Sequence, residues 1–212
     1  MGPMLKKILI AIALGTLTIV IAIFGFFVST TSATEITPEG TARFDSPQAT
    51  INISNSSQSY QVIWMNAIRA WNRTGVFSFS LSTSPNAQVI AGTNSGMSAK
   101  FTGLTNLTTN DQGYISHVTT NLNPKILAKY SYLPTEQTNV AEHELGHAIG
   151  LLHSANKASV MYINNRTYGI QNIDIQAVQQ LYGSPLGNQA FPYQSYTFQD
   201  PFVLKVKGQP EE

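Results

Sequence analysis

Residues 143–153, HELGHAIGLLH, hold three imidazoles and one carboxylate at a spacing suited to gripping a metal ion. His143 and His147 stand four apart, so on a helix they share one face, a turn apart, and both can reach a single ion. Glu144 follows the first of them directly and would project beside the ion, where a water would sit. Gly150 falls where the helix can end, since glycine enters the left-handed conformation at little cost. The chain can then double back and bring in His153. Three protein ligands leave one position open for water, the feature that separates a catalytic zinc from a structural one. The spacing therefore predicts one catalytic zinc on His143, His147 and His153, with Glu144 as its base.

The helix that must carry these groups has a packing face of its own. Ala141, Leu145, Ala148 and Leu152 form an apolar stripe roughly opposite the His143/His147 face. An ordinary amphipathic helix would explain that stripe but not the polar face. Three of the chain's four histidines fall inside these eleven residues.

HExxHxxGxxH resembles the metzincin zinc peptidases. Ser154 after the third histidine narrows the resemblance to the matrixin type, where adamalysins and astacins carry an acidic residue. Residues 158–162, ASVMY, look like the Met-turn that lies beneath the zinc in this clan. Residues 172–183, NIDIQAVQQLYG, are similar to the C-terminal matrixin helix. The strong part of the resemblance covers residues 138–183, and a weaker part reaches back to about residue 42. It implies an α+β, metzincin-like catalytic domain, a twisted mixed sheet with three helices. It also implies that Met161 forms an apolar floor to the site without ligating, because a thioether is a poor zinc ligand beside imidazole. Met161 as plain core is the bland alternative.

Other residues depart from the matrixin pattern. Ile163 stands where matrixins often have proline after the Met-Tyr pair. With no cysteine anywhere, the cysteine-switch latency of many animal matrixins is impossible. The Asp and His clusters that hold their calcium ions and second zinc are absent, so structural calcium stays open. The remaining histidine, His117, sits in an alternating run without an acidic partner nearby and reads as a strand residue rather than a ligand. Asn110-Asp111-Gln112-Gly113 reads as a turn rather than a calcium loop.

At 212 residues, 42% hydrophobic and 11% charged, the chain has room for one domain plus extensions. Its formal charge of +1 includes Lys6 and Lys7; without them 10 basic and 11 acidic residues remain. No basic field exists to attract nucleic acid or an anionic membrane surface. Residues 8–28 are uncharged and mostly apolar, and at about 1.5 Å per residue they could cross a bilayer. The preceding lysines orient the N-terminus toward the cytoplasm. Small residues follow, ending at Ala33, of the kind a signal peptidase accepts. The expectation is a signal peptide or signal anchor over residues 1–33, with everything after it outside the plasma membrane, released or tethered.

The catalytic domain would then cover 34–183, followed by an aromatic, proline-rich tail over 184–212. Tyr60, Ile63, Trp64, Ala67, Ile68 and Trp71 repeat at helical spacing until Gly75. Strands are expected around 49–53, 76–82, 89–91 and 114–120, with no defined element between 92 and 113. The tail carries Phe191, Tyr193, Tyr196, Phe198 and Phe202, too many aromatics for a typical disordered segment. It either packs across the catalytic domain or meets a partner.

The expected function is hydrolysis of peptide bonds in extracellular or cell-surface proteins by a zinc-activated water, with Glu144 as general base. The expected partners are a protein or peptide substrate, with no nucleic acid, membrane contact only through the N-terminal segment, and a monomeric state. The rival from another class is a catalytically inactive surface binding protein on the same scaffold, against which an intact Glu144 argues. A membrane-embedded protease is disfavoured because lipid would penalise Glu142, Glu144 and three histidines on one helix.

Overall fold

The computed structural model describes residues 36–185 and 192–201, so the segment read as signal or anchor lies outside the described residues. Among the described residues no helix is long and apolar enough to cross a membrane.

The chain runs β1 (Gln48–Asn55), α1 (Gln58–Thr74), β2 (Ser78–Leu81), β3 (Val89–Thr93), β4 (Phe101–Thr109) and β5 (Ile115–Leu122). It continues through α2 (Pro124–Lys129), α3 (Pro134–Ala148), α4 (Asn172–Gly183) and β6 (Ser195–Pro201). Six strands form one sheet in the order β2-β1-β3-β5-β4-β6. β1 pairs in parallel with β2 and β3, and β3 with β5, whereas β4 runs antiparallel to β5 and β6. The mixed sheet of the expected fold is thus present, with a short fourth helix, α2, beyond the three anticipated.

The helical stripe of α1 buries Ile63, Trp64, Ala67, Ile68 and Trp71, and Gly75 ends the helix at φ 73°. A left-handed stop of this kind costs glycine little. α1 lies on β1, β2 and β3, α3 lies on β4 and β5, and the two helices touch each other. The core therefore sits between one face of the sheet and these helices, centred on Trp64, Trp71, Leu145 and Met161. Trp71 donates its indole N–H to the Glu142 carbonyl at 2.9 Å, which fastens α1 to the middle of α3. Burying that N–H without a partner would cost a few kcal/mol, about 1–3.

Two strands of the sheet differ from the sequence reading. β4 occupies a Thr/Gly/Asn stretch that shows no hydrophobic alternation, yet Thr102, Gly103, Thr105, Leu107 and Thr109 are buried. β6 comes from the segment read as a tail, and it adds to the sheet beside β4. The Asn110 turn is as expected: its side chain accepts from the N–H groups of Gln112 and Tyr114, both at 3.0 Å, and Gly113 takes φ 83°.

Candidate metal centre

α3 starts at Pro134, a residue pre-set for the first helical turn, and Glu136 accepts the Leu133 N–H at 2.7 Å. From Val140 to Ala148 every residue is buried, because α1 covers one side of the helix and β4 and β5 the other. His143 and His147 thus project into a closed interior rather than onto a surface. The helix stops at Ile149, and Gly150 takes φ 107°. A Cβ there would run into the Ala42 carbonyl and the Leu181 side chain. The reversal carries Leu151 back under the helix and delivers His153.

The three expected ligands meet. His147 Nε2 lies 3.2 Å from His153 Nε2, and ring nitrogens of all three histidines belong to one group whose atoms lie within 4.8 Å of one another. For a tetrahedral zinc with bonds of about 2.0–2.1 Å, two ligand nitrogens stand about 3.3 Å apart. Each buried ring is oriented by its far nitrogen. His143 donates from Nδ1 to the Val160 carbonyl at 2.6 Å, and His147 donates from Nδ1 to the Leu151 carbonyl at 2.9 Å. Those bonds leave the Nε2 positions turned to the common centre, the usual way a protein fixes a metal-binding imidazole. His117, by contrast, is exposed on β5 and stands outside the group.

A fourth side chain joins them. The sequence leaves the remaining position open to water, whereas here the Asp200 carboxylate of β6 enters it. Asp200 Oδ1 is 2.5 Å from His153 Nε2, 2.9 Å from His143 Nε2 and 3.6 Å from His147 Nε2. Three imidazole nitrogens and a carboxylate oxygen are a zinc donor set. Burial lowers the His143 pKa, but the Asp200 carboxylate outweighs it and the net shift is upward. His147 is pulled down to about 4, first by burial, and so stays neutral at physiological pH, the state a metal ligand needs. Asp200 is held well below the usual carboxylate range, because the three histidines overcome its burial. Glu144 is pushed well up by burial and by Asp200 beside it. Glu144 Oε1 and Asp200 Oδ2 are both buried without a hydrogen-bond partner. Two buried carboxylates side by side, facing three imidazoles, fit a cation at their centre.

Glu144 reaches β4 rather than solvent. Thr105 donates to its Oε2, and a Cβ at Gly103 would collide with the same carboxylate. The polar inner face of β4 is thus shaped around the Glu144 carboxylate.

Below the histidines, Met161 is fully buried, and its sulfur fills the space that a side chain at Gly146 would need. Asp174, at the start of α4, holds this turn in place. It accepts from Ser159 Oγ at 2.5 Å, from the Val160 N–H at 3.0 Å, from the Gln171 N–H at 2.9 Å and from Thr37 Oγ1. Since the Val160 carbonyl in turn orients His143, Asp174 reaches that ring through one peptide unit. Sequence reasoning missed Asp174, Thr105, Gly103 and Asp200. Only Asp200 left a usable signal, the alternation Tyr196, Phe198, Asp200 on one face of a strand.

A family model described as matrixin matches residues 31–183. A macrophage metalloelastase from Rattus norvegicus is 41% identical over 63 residues, 27% of this chain and 14% of its own length. Matrix metalloproteinase-26 from Homo sapiens is 47% identical over 49 residues, covering 21% of this chain and 19% of the relative. A protein named a putative matrix metalloproteinase, from Trichoplusia ni ascovirus 2c, is 45% identical over 58 residues, 26% of this chain and 11% of its own. The chain thus spans less than a fifth of the length of each of these relatives. The match of the family model over most of the chain shows that it belongs to the matrixin family.

Proposed function

We propose that this chain is a zinc-dependent metalloendopeptidase acting on extracellular or cell-surface proteins. The observation that carries the reading is the convergence of His143, His147 and His153 on one point, with the Glu144 carboxylate beside it. Bound there, zinc would polarise the scissile carbonyl and lower the pKa of water toward about 7.

The protein's own groups do the rest. The Val160 and Leu151 carbonyls keep two imidazoles in the tautomer that offers Nε2 inward. Glu144 takes the water's proton and passes it to the leaving amine, with Thr105 fixing its direction. Burial, with the Asp200 carboxylate beside it, raises the basicity of the Glu144 carboxylate. Met161 closes the floor with an apolar surface that keeps bulk water from the ligands. Location outside the plasma membrane rests on Lys6, Lys7 and the apolar run that follows them.

The test is peptide cleavage by the purified full chain, before and after chelation, alongside Glu144→Gln. Chelation should abolish cleavage and zinc should restore it. Glu144→Gln should retain zinc and lose about 10²–10⁴-fold in turnover. Wild-type cleavage by the zinc-loaded Glu144→Gln chain would refute this role for Glu144.

A further inference from the structure

We infer that β6 is a built-in plug: the chain's own C-terminal strand occupies the open edge of β4, and Asp200 serves as fourth ligand to the metal, holding the enzyme closed. The inference rests on the zinc reading above and adds its regulation. Four observations carry it.

First, β6 lies where an extended peptide could lie. It pairs antiparallel with β4 over Thr108↔Ser195, Leu107↔Tyr196, Asn106↔Thr197, Thr105↔Phe198, Leu104↔Gln199 and Gly103↔Asp200. Without β6, β4 would be an unpaired sheet edge, a ready template for another strand. Second, that register sets Asp200 opposite Gly103, the residue whose missing side chain makes room for Glu144. Asp200 is 3% exposed, and its Oδ1 stands 2.5–3.6 Å from all three histidine Nε2 atoms. Third, Phe198 stacks on His147 with ring centroids 4.2 Å apart and planes 8° from parallel. A strand merely resting on a sheet edge has no need to cover a ligand. Fourth, the strand lies beyond residues 31–183, where the family match ends. It lies outside the part of the chain that the family shares, although it joins the same sheet.

With Asp200 in place the site has three nitrogens and one oxygen from protein, which is the closed, four-coordinate arrangement of a structural zinc. Asp200 also stands beside Glu144, where a water would have to stand to be deprotonated. Closing the site in this way takes no covalent chemistry and no cysteine. It is reversible when the strand leaves β4, by competition with a tighter peptide or by cutting of the chain between α4 and β6.

The size of the effect follows from tethering. A short tether gives an effective concentration in the millimolar range. A strand whose own dissociation constant is ~10 μM would then leave ~1% of molecules open, so detaching it should raise cleavage ~100-fold.

The test uses the full chain loaded with cobalt(II) in place of zinc, whose visible spectrum reports the ligand set, and a small hydroxamate as probe of the fourth position. Two variants detach the plug independently. Asp200→Ala removes the ligand. Tyr196→Pro breaks the strand: Thr109 donates to the Gln194 carbonyl, and alternation then puts Tyr196 in a hydrogen-bonded pair with Leu107. Both variants should change the cobalt spectrum, bind the hydroxamate at concentrations that leave the wild type unaltered, and cleave peptide ~100-fold faster. If the cobalt spectrum and hydroxamate binding of both variants match the wild type, Asp200 is no ligand and the plug is refuted. If the spectrum and hydroxamate binding change as expected but no variant cleaves any peptide, the plug stands and the peptidase reading falls.

Discussion

Replacing Glu136 with alanine should destabilise the domain by about 3–4 kcal/mol, because it strands a buried arginine. Glu136 lies in the first turn of α3, and Arg166 lies in the loop just after Met161. Arg166 Nε is 2.9 Å from Glu136 Oε1 and its Nη2 donates to Oε2 at 3.0 Å, a two-point contact between side chains that are 6% and 10% exposed. Removing one partner of such a pair costs about 3–5 kcal/mol, most of it the penalty of an uncompensated buried charge. Two features shift the figure. Arg166 keeps the Tyr130 and Ser131 carbonyls and its place 3.9 Å over the Tyr132 ring, which softens the loss. Glu136 also accepts the Leu133 N–H, and losing that cap adds about 1 kcal/mol. For a domain of this size about 2–4 °C accompanies each kcal/mol, so Tm should fall by roughly 6–16 °C. Urea unfolding of the chelated protein measures the free energy directly. The companion is Glu136→Leu with Arg166→Met, which removes both charges and should recover most of the loss. A single variant within 1 kcal/mol of the wild type, or a double variant as unstable as the single, would refute the desolvation account.

Gly150→Ala should cost about 2–4 kcal/mol, since φ 107° is closed to alanine and its methyl would meet the Ala42 carbonyl and Leu181 Cδ2. Because this turn delivers His153, zinc affinity measured by competition with a chelating dye should fall as well, and unchanged affinity would sever the link between turn and ligand. Burial lifts the Glu142 carboxyl to about 7, against an opposing bond from the Ile170 N–H and the charge of Arg73. Between about pH 4.5 and 7 the folded state therefore keeps a proton that the unfolded state has released, so stability falls as pH rises through that window and levels off above it. The contribution is on the order of 3 kcal/mol. Glu142→Gln should remove that slope, and the quantity to compare is variant minus wild type in the chelated protein, so that every other titrating group cancels; identical pH profiles would refute the Glu142 shift.

The parts of the molecule legible in the sequence are those where one physical rule acted alone. The α1 stripe from Ile63 to Trp71 packs against a sheet on one side only, so its period shows. His143, His147 and His153 are read from spacing because a metal demands fixed geometry. β4 was invisible because two of its inward positions, Gly103 and Thr105, face a carboxylate instead of a hydrophobic core. Hydrophobic alternation fails where the inner face of a strand must be polar and roomy, and such failures are expected at functional sites. α3 shows the same conflict in reverse. Its stripe was legible, yet from Val140 onward the helix is buried on both sides, and Glu144 and His147 are buried as completely as Leu145.

Asp174 and Asp200 are a harder case, since neither stands in a motif that announces a role and only Asp200 has a local pattern that points inward. Each acts through contacts that only the folded chain creates. Asp174 meets residues 159 and 160 across the Met161 turn, and Asp200 meets histidines 47 to 57 positions upstream. In both, a lone acidic residue in a polar stretch reads as solvated surface, the ordinary fate of aspartate. What distinguishes Asp200 is the pair of aromatics before it at two-residue steps. Tyr196 and Phe198 need a covered face, and a strand that covers its aromatics must cover the next residue on that face too. A carboxylate forced inside by its neighbours has to find positive charge there, and in this chain the place that can hold it is the centre of three imidazoles.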